Sequence, residues 1–283
     1  MNPLSLQPIP YQGSKRALAP RICAHFQPGI STLYEPFAGS AAVTLYAAHH
    51  GLAQRFVIGD VCPALAALWR LIIEEPAEIA ARYRSLWEEQ VTAGPGHFNR
   101  IRDRYNAERD AASLLYLIAR CVKNAVRFNR SGDFTQSVDK RRRGMRPEKF
   151  AAAAQRASAL LKGKASVHCA DFTDCVAAAR LGDLVYLDPP YQGTTYGPDK
   201  RYAAQLPRDR LTSCLEDLSR RGVDFILSYD GKTGSKVHGV PLPASLKLSH
   251  IHIDAGRSSQ ATLLGRSEHT LESLYLSGRV AAA

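Results

Sequence analysis

The sequence lacks several features that would assign it to a class at once. Among its 283 residues no apolar run approaches the roughly 18 needed to span a membrane. The opening "MNPLSLQPIPYQGSK" has none of the basic-then-apolar pattern of a secretory signal, so the expected setting is the cytoplasm, away from any membrane. Six cysteines stand at 23, 62, 121, 169, 175 and 214 with no CxxC spacing. That predicts reduced thiols, and neither a disulfide framework nor a zinc site. GxGxxG is absent, which removes the dinucleotide fingerprint, and the small-residue turn "AGS" lacks the GK[ST] ending of a phosphate-binding P-loop. His250 and His252 alternate in "LSHIHI" without a Cys or acid at ligand spacing. Surface or packing roles are expected for them, and no metal. His49 and His50 fall at a helix end, where cations favour the dipole. No internal repeat or long low-complexity tract is present.

A hydrophobic content of 45% is enough for a sizeable core, and the length suits one large domain or a core with an insertion. The net charge is +11, which makes polyanions plausible partners. The charge is not spread evenly. Residues 120–149 hold ten basic side chains (Arg120, Lys123, Arg127, Arg130, Lys140, Arg141, Arg142, Arg143, Arg146, Lys149) against Asp133, Asp139 and Glu148. A solvated basic loop and a nucleic-acid contact both fit this window.

Periodicity divides the chain. A strand ending at "LYEPF", a small-residue turn "AGS", a helix "AAVTLYAAHH" stopped by Gly51, and a strand "RFVIGD" make a β-turn-α-β unit, the start of a doubly wound α/β sheet. From about 63 to 125 the strand signals vanish. "ALAALWRLII", "AEIAARYRSLWEE", "HFNRIRDRYN" and "AASLLYLIARCVKNAV" carry apolar residues at helical spacing, broken at Pro76 and "AGPG". After the basic stretch and an Ala-rich helix over about 147–161, strands return in "ASVHCAD", "LVYLD", "DFILSYD", "KLSHIHI" and "LESLYLS". The expectation is an α/β sheet interrupted by a helical, basic insertion.

Acids mark the ends of these strands. The turn after "LYEPF" brings small residues to a strand tip, where open α/β sheets bind ligands; an ordinary strand-helix turn reads the same way. Asp60 ends the second strand, about 20 residues on, where an acid accepts from both hydroxyls of a ribose or, alternatively, caps the helix at Pro63. Asp171 and Phe172 offer an amino-group acceptor and a stacking face for an adenine ring, or else an N-cap and a core phenylalanine. "LVYLDPPYQG" (184–193) is the most specific stretch. Two prolines remove backbone donors and fix the chain in one stiff shape after a buried strand. Asp188 and the Pro189 carbonyl can accept both hydrogens of an exocyclic amino group while Tyr191 stacks on the attached ring. A rigid turn is the alternative. Such contacts aim an amino lone pair at an electrophile, and orientation with electrostatics supplies the acceleration.

Together these residues resemble the Dam-like, alpha-ordered D12 class of DNA adenine N6-methyltransferases. "PIPYQGSK" is similar to the family's opening motif, whose lysine meets the methionine carboxylate of S-adenosylmethionine, so Tyr11 and Lys15 fall on binding positions. "EPFAGS" (Glu35, Pro36, Phe37, Ala38, Gly39, Ser40) resembles the cofactor loop and Asp60 the ribose-binding acid. "ADF" (Asp171, Phe172) resembles the adenine-binding step, and Asp188, Pro189, Pro190 and Tyr191 the catalytic tetrapeptide, with Asp188 also beside the cofactor. "FILSYD" and "IDAGRSSQA" resemble a later strand and a loop near the target base, which includes Arg257 and Ser258.

The resemblance implies a Rossmann-like S-adenosylmethionine-dependent sheet, catalytic over 1–62 and 151–283, with a helical, basic target-recognition domain inserted at 63–150. Within the insertion, "NAVRFNRSGDFT" is similar to a DNA-contacting segment that leads into a β-hairpin. Lys123, Asn124, Arg127, Asn129, Arg130, Arg141, Arg142 and Arg143 are its candidate DNA contacts. The implied partner is double-stranded DNA whose target adenine is flipped out of the helix; the recognition sequence, the oligomeric state and any cognate restriction endonuclease are left open. An amino-methyltransferase acting on RNA adenine, cytosine or a protein glutamine, and a DNA-binding protein without catalysis, stand as alternatives. The family usually carries a second glycine where Ala41 stands, and a methyl group there is expected to fit a helical start.

Overall fold

The computed structural model describes residues 6–129, 131–190, 206–233, 236–238, 242–257 and 269–281. After a short helix α1 (Ala19–Cys23), β1 (Ile30–Glu35), α2 (Ala42–His49) and β2 (Ala53–Asp60) form the first β-turn-α-β unit. Gly51, at φ 64°, ends α2 in the left-handed geometry that suits glycine. Four helices follow without a strand: α3 (Pro63–Glu74), α4 (Pro76–Thr92), α5 (His97–Glu108) and α6 (Ala111–Arg120). The Pro76 and "AGPG" breaks separate them as the sequence suggests. Asp110 caps α6 by accepting from the Ser113 N–H at 2.8 Å. Helix α7 (Pro147–Leu161) is the Ala-rich segment. Then come β3 (Ala165–Cys169), α8 (Phe172–Cys175), β4 (Leu184–Leu187), α9 (Arg208–Arg220), β5 (Asp224–Thr233), β6 (Lys236–His238), β7 (Ser249–Arg257) and β8 (His269–Leu276).

The strands lie in the order β3-β2-β1-β4-β5-β8-β7, with β6 pairing off β5. From β3 to β5 all pairings are parallel, while β8 runs antiparallel to both β5 and β7. The chain leaves β1 toward β2 and returns to its other side as β4, so the winding reverses between β1 and β4. In such sheets ligands enter at that reversal, outside the carboxyl ends of the strands.

Period-two alternation divides each strand between two apolar layers. Leu33, Phe56, Ile58, Leu184, Tyr186 and Ile226 face one cluster, which holds α1 to α7. Tyr34, Val57, Val185, Leu187, Phe225 and Leu227 face the other, against α8 and α9. All four residues of β4 are buried, as a strand covered on both faces requires.

The first cluster continues without a break from the sheet into the helices between β2 and β3, as far as Phe134. Trp69 of α3 donates its indole N–H to the Gly39 carbonyl at 2.9 Å, which ties α3 to the tip of β1. The Ser158 hydroxyl of α7 donates to Ile73 O at 2.6 Å, and Tyr83 OH of α4 to Met145 O at 2.6 Å. The segment after α6 folds back on itself through two isolated antiparallel bridges, Cys121 with Val138 and Phe128 with Phe134. Phe128 and Phe134 pack edge to face at 6.0 Å, and both touch Tyr105 of α5, which anchors this hairpin-like turn. All six cysteines are free thiols. No helix among the described residues is long and apolar enough to cross a membrane, and none of their His, Cys, Asp and Glu side chains forms a group able to hold a metal ion.

Candidate active site

The loop after β1 is shaped by three contacts. The Ala38 N–H donates to Gly59 O at 2.8 Å, the Gly39 N–H to Asp60 Oδ2 at 3.2 Å, and Trp69 holds the Gly39 carbonyl. Gly39 has φ 49°, and a Cβ there would lie 3.3 Å from the Tyr11 ring. Tyr11 therefore packs directly on the loop backbone. One step along, the Ser40 and Ser14 hydroxyls meet at 2.7 Å. The opening motif and the "EPFAGS" loop thus form one wall. Ala41 departs from expectation: it is not a helical start but left-handed, at φ 46°, with its methyl fully buried. A side chain in that region costs about 1–2 kcal/mol, which explains why glycine suits the position.

Asp60, at the tip of β2, has both carboxylate oxygens engaged, Oδ2 by Gly39 and Oδ1 by the Cys62 N–H at 2.9 Å. Burial raises its pKa, and these two N–H donors act against that rise. Asp60 thus ties the tips of β1 and β2 together and satisfies a donor at the start of α3. Glu35, the last residue of β1, is buried with Oε2 accepting from the Thr44 N–H of α2 at 2.8 Å. Burial pushes its carboxyl up to about 7 against the Thr44 and Val43 hydrogen bonds.

At the end of β4 the sequence candidates come together. Lys15 Nζ lies 3.1 Å from Asp188 Oδ1 and 2.5 Å from Glu272 Oε1 of β8. Lys15 and Glu272 are only 7% and 8% exposed, so water does not replace these contacts. Burial would lower the lysine pKa, yet the Asp188 and Glu272 carboxylates more than reverse that and hold it well above the usual range. Burial pushes Asp188 upward, Lys15 opposes, and Glu272 adds to the rise. Beneath them Tyr186 OH and Ser228 Oγ share a 2.8 Å hydrogen bond, and burial with the nearby Asp188 carboxylate raises the Tyr186 phenol far above its normal value. Pro189 is buried and Pro190 half-buried. Tyr191 lies outside the described residues.

Sequence reasoning missed Glu272. Its signal was a single acid in the apolar strand "HTLESLYL", in register with buried Leu274 and Leu276. It missed Gly59 as well. A Cβ there would come within 2.4 Å of Cys175 Sγ and 3.1 Å of Pro36 Cα, so only glycine lets the β2 tip pass.

Asp171 caps α8, accepting from the Thr173 N–H at 3.1 Å, and pairs with Arg210 at 2.9 Å. Burial tends to raise its carboxyl, but the Thr173 hydrogen bonds and Arg210 hold it below the usual range. Phe172 is buried, stacked on Phe37 at 5.2 Å with the Arg210 guanidinium 5.4 Å from its ring. The capping and core roles are therefore realised.

The candidate DNA contacts sit in varied settings. Lys123 and Asn124 are both left-handed, at φ 59° and 53°. The Asn124 side chain donates to Ile118 O at 2.8 Å, and its carbonyl accepts from the Gln12 N–H at 3.0 Å, which links the insertion to the opening motif. Asn129 engages Asp133 with both ends of its amide, at 2.8 and 3.1 Å, and so closes the turn at Gly132. Arg127 is half-buried on the hairpin. Arg142 pairs with Asp139 at 2.8 Å, whereas Arg141 and Arg143 are exposed beside it. Arg257 ends β7; Arg130 and Ser258 lie outside the described residues.

Small residues and strand-tip acids line the reversal of a doubly wound sheet, the position where open α/β sheets bind ligands. The family model of D12 class N6 adenine-specific DNA methyltransferases matches residues 11–254, and the chain belongs to that family. Its activity is therefore site-specific methylation of adenine in DNA at N6. The chain is 28% identical over 282 residues to the retron Ec67 DNA adenine methylase of Escherichia coli, which covers 95% of this chain and 90% of that one. It is 26% identical over 236 residues to the DNA N-6-adenine-methyltransferase of Escherichia phage P1, covering 78% of this chain and 29% of the phage protein. Against the DNA adenine methylase of Serratia marcescens the identity is 25% over 191 residues, covering 65% and 66%.

Proposed function

We propose that the protein uses S-adenosylmethionine to methylate an adenine flipped out of double-stranded DNA, with Asp188 as the acceptor that aims the amino group. The observation that carries this reading is the 3.1 Å contact between Lys15 of the opening motif and Asp188 of the tetrapeptide, while Tyr11 of the same motif packs on the Gly39 backbone of the loop after β1. The donor set fits the cofactor. In this reading Asp60 accepts from the ribose hydroxyls, and the stacked Phe37 and Phe172 with Asp171 take the adenine. Bound there, the cofactor supplies a methyl group on a positively charged sulfur.

The residues of the chain do the rest. Asp188 and the Pro189 carbonyl accept the two amino hydrogens, which turns the nitrogen lone pair out of conjugation with the ring. Tyr191 stacks on the flipped base, worth about 1–3 kcal/mol. Asp188, made more basic by its burial, then takes the proton that the amino nitrogen sheds. Residues 63–150 form the recognition part in this reading, with α3 shared with the sheet. Arg127 contacts bases, while Arg141 and Arg143 contact phosphates.

The test is turnover on an adenine-containing duplex with tritiated cofactor. Asp188→Ala is expected to abolish methyl transfer while keeping much of the DNA affinity. Near-normal turnover would overturn the assignment, and a product methylated on cytosine would keep the mechanism but change the base.

A further inference from the structure

We propose that Glu272 is a positioning residue for the methyl transfer: by sharing the Lys15 ammonium with Asp188, it leaves Asp188 a strong hydrogen-bond acceptor and gives the Lys15–Asp188–Glu272 trio one net negative charge. The inference rests on Asp188 receiving the target amino group. Three elements meet here: the turn that carries Lys15, the exit of β4, and β8. The 2.5 Å contact to Glu272 is shorter than the 3.1 Å contact to Asp188, so the lysine leans toward β8. Glu272 sits opposite Gly231 of β5 and Ile253 of β7, beside the irregularity in β5 between Ser228 and Gly231. An ionic side chain on the buried face of an antiparallel strand is costly unless it is paired. The fold bears that cost at the one place where the pairing also reaches the reacting carboxylate.

The chemical consequence follows from charge. With Lys15 alone, Asp188 would be neutralised by a close cation and would accept poorly from an amino group. With Glu272 present, one cation serves two carboxylates, so the site keeps a negative field. The methyl group comes from a positively charged sulfur, and the amino nitrogen becomes positive as the N–C bond forms and the S–C pair returns to sulfur. A negative site favours that redistribution, and a neutral one does not.

Among the described residues, the groups facing Asp188 are Lys15, Glu272, Tyr186 and, across the end of β1, Glu35. Of these, Glu272 is the one whose charge can be removed without touching the tetrapeptide, the loop or the lysine. In Glu272→Gln, Asp188 loses a repelling charge and keeps Lys15, so its pKa should fall. The carboxyl carbon of Asp188, labelled with 13C and assigned by its loss in Asp188→Asn, reports that in the cofactor-free protein. Its midpoint is expected to move down by about one pH unit or more in Glu272→Gln and to stay near the native value in Glu272→Asp.

In turnover, Glu272→Gln should lose about tenfold or more in kcat, with its affinity for S-adenosylmethionine by calorimetry kept within about threefold and the acid limb of its pH profile displaced downward. An unmoved midpoint, or kcat within about twofold of native, overturns the proposal. If Glu272→Gln does not fold, the native protein still decides the matter. The Asp188 carboxyl carbon should titrate above the ordinary carboxylate range despite the Lys15 ammonium 3.1 Å away, and a midpoint at or below that range overturns it. Asp188→Asn, assayed alongside, separates the two readings. If it is inactive while Glu272→Gln turns over normally, only the Glu272 assignment falls; if it turns over normally, the reading of Asp188 falls.

Discussion

At the scale of single residues, the tips of the strands are where sequence and structure agree most closely, because an acid that ends an apolar run marks the point where the chain leaves the buried sheet. Asp60 and Asp188 both stand where the runs predict. What the runs could not disclose were the residues that fit these tips to each other. Gly59 is one: its Cβ would collide with Cys175 Sγ, whose position depends on a helix more than a hundred residues further on. Gly59→Ala is expected to destabilise the protein by about 1–3 kcal/mol in urea unfolding, and Cys175→Ala in the same chain should recover part of that. No recovery would mean that the Pro36 backbone is the real obstacle. Glu35 makes a second case. Its folded-state pKa, about 7, lies above the ordinary 4.5, so the native state binds the extra proton and stability falls as pH rises through that window. Glu35→Gln, which keeps an acceptor for Thr44, should therefore gain stability over native at pH 8, by up to about 3 kcal/mol, and lose the advantage by pH 4.5. Equal melting temperatures for the two proteins at pH 8 would show that Glu35 is ionised without cost.

At the scale of elements, the helices and strands were legible because each has one period and clear punctuation, as at Pro76 and Gly51. The basic segment was legible only as charge. Its fold comes from contacts with no periodic signature: aromatic packing of Phe128 and Phe134 on Tyr105, and an Asn129–Asp133 turn braced by Arg109 at 2.7 Å. For that reason equal-looking arginines have unequal roles. Arg142 is tied to Asp139, so reversing its charge would damage the turn as well as any phosphate contact. Arg141 and Arg143 make the cleaner pair. If the segment neutralises about four to six phosphates, log K for DNA should fall against log[salt] with a slope of about −4 to −5. Arg141→Glu with Arg143→Glu should flatten it by about two or more while turnover at saturating DNA persists. An unchanged slope would place the phosphate contacts elsewhere.

At the scale of the whole molecule, the sequence showed a sheet and an insertion, but not that they share one interior. Helix α3 covers the sheet, α7 returns against it, and one apolar cluster runs from Leu33 to Phe134. That continuity was invisible because the apolar positions of a helix look the same whether they face a sheet or another helix. Its consequence concerns the exchange of parts. A methyltransferase with a detachable reading head could be retargeted by transplanting the head from a relative; this one could not, because a graft spanning 63–150 would carry half of the interior with it and leave Trp69's partner at Gly39 facing a stranger. The turn held between the Cys121–Val138 and Phe128–Phe134 bridges can be exchanged with the cluster left intact provided that Phe134, which belongs to it, and Val126 and Phe128, which pack on it, are kept. Chimeras cut at those bridges should melt in a single transition within a few degrees of the parent, and chimeras cut at 63 and 150 should not. If this turn reads bases as proposed, new target sequences would be reached by rewriting it, inside an otherwise indivisible body.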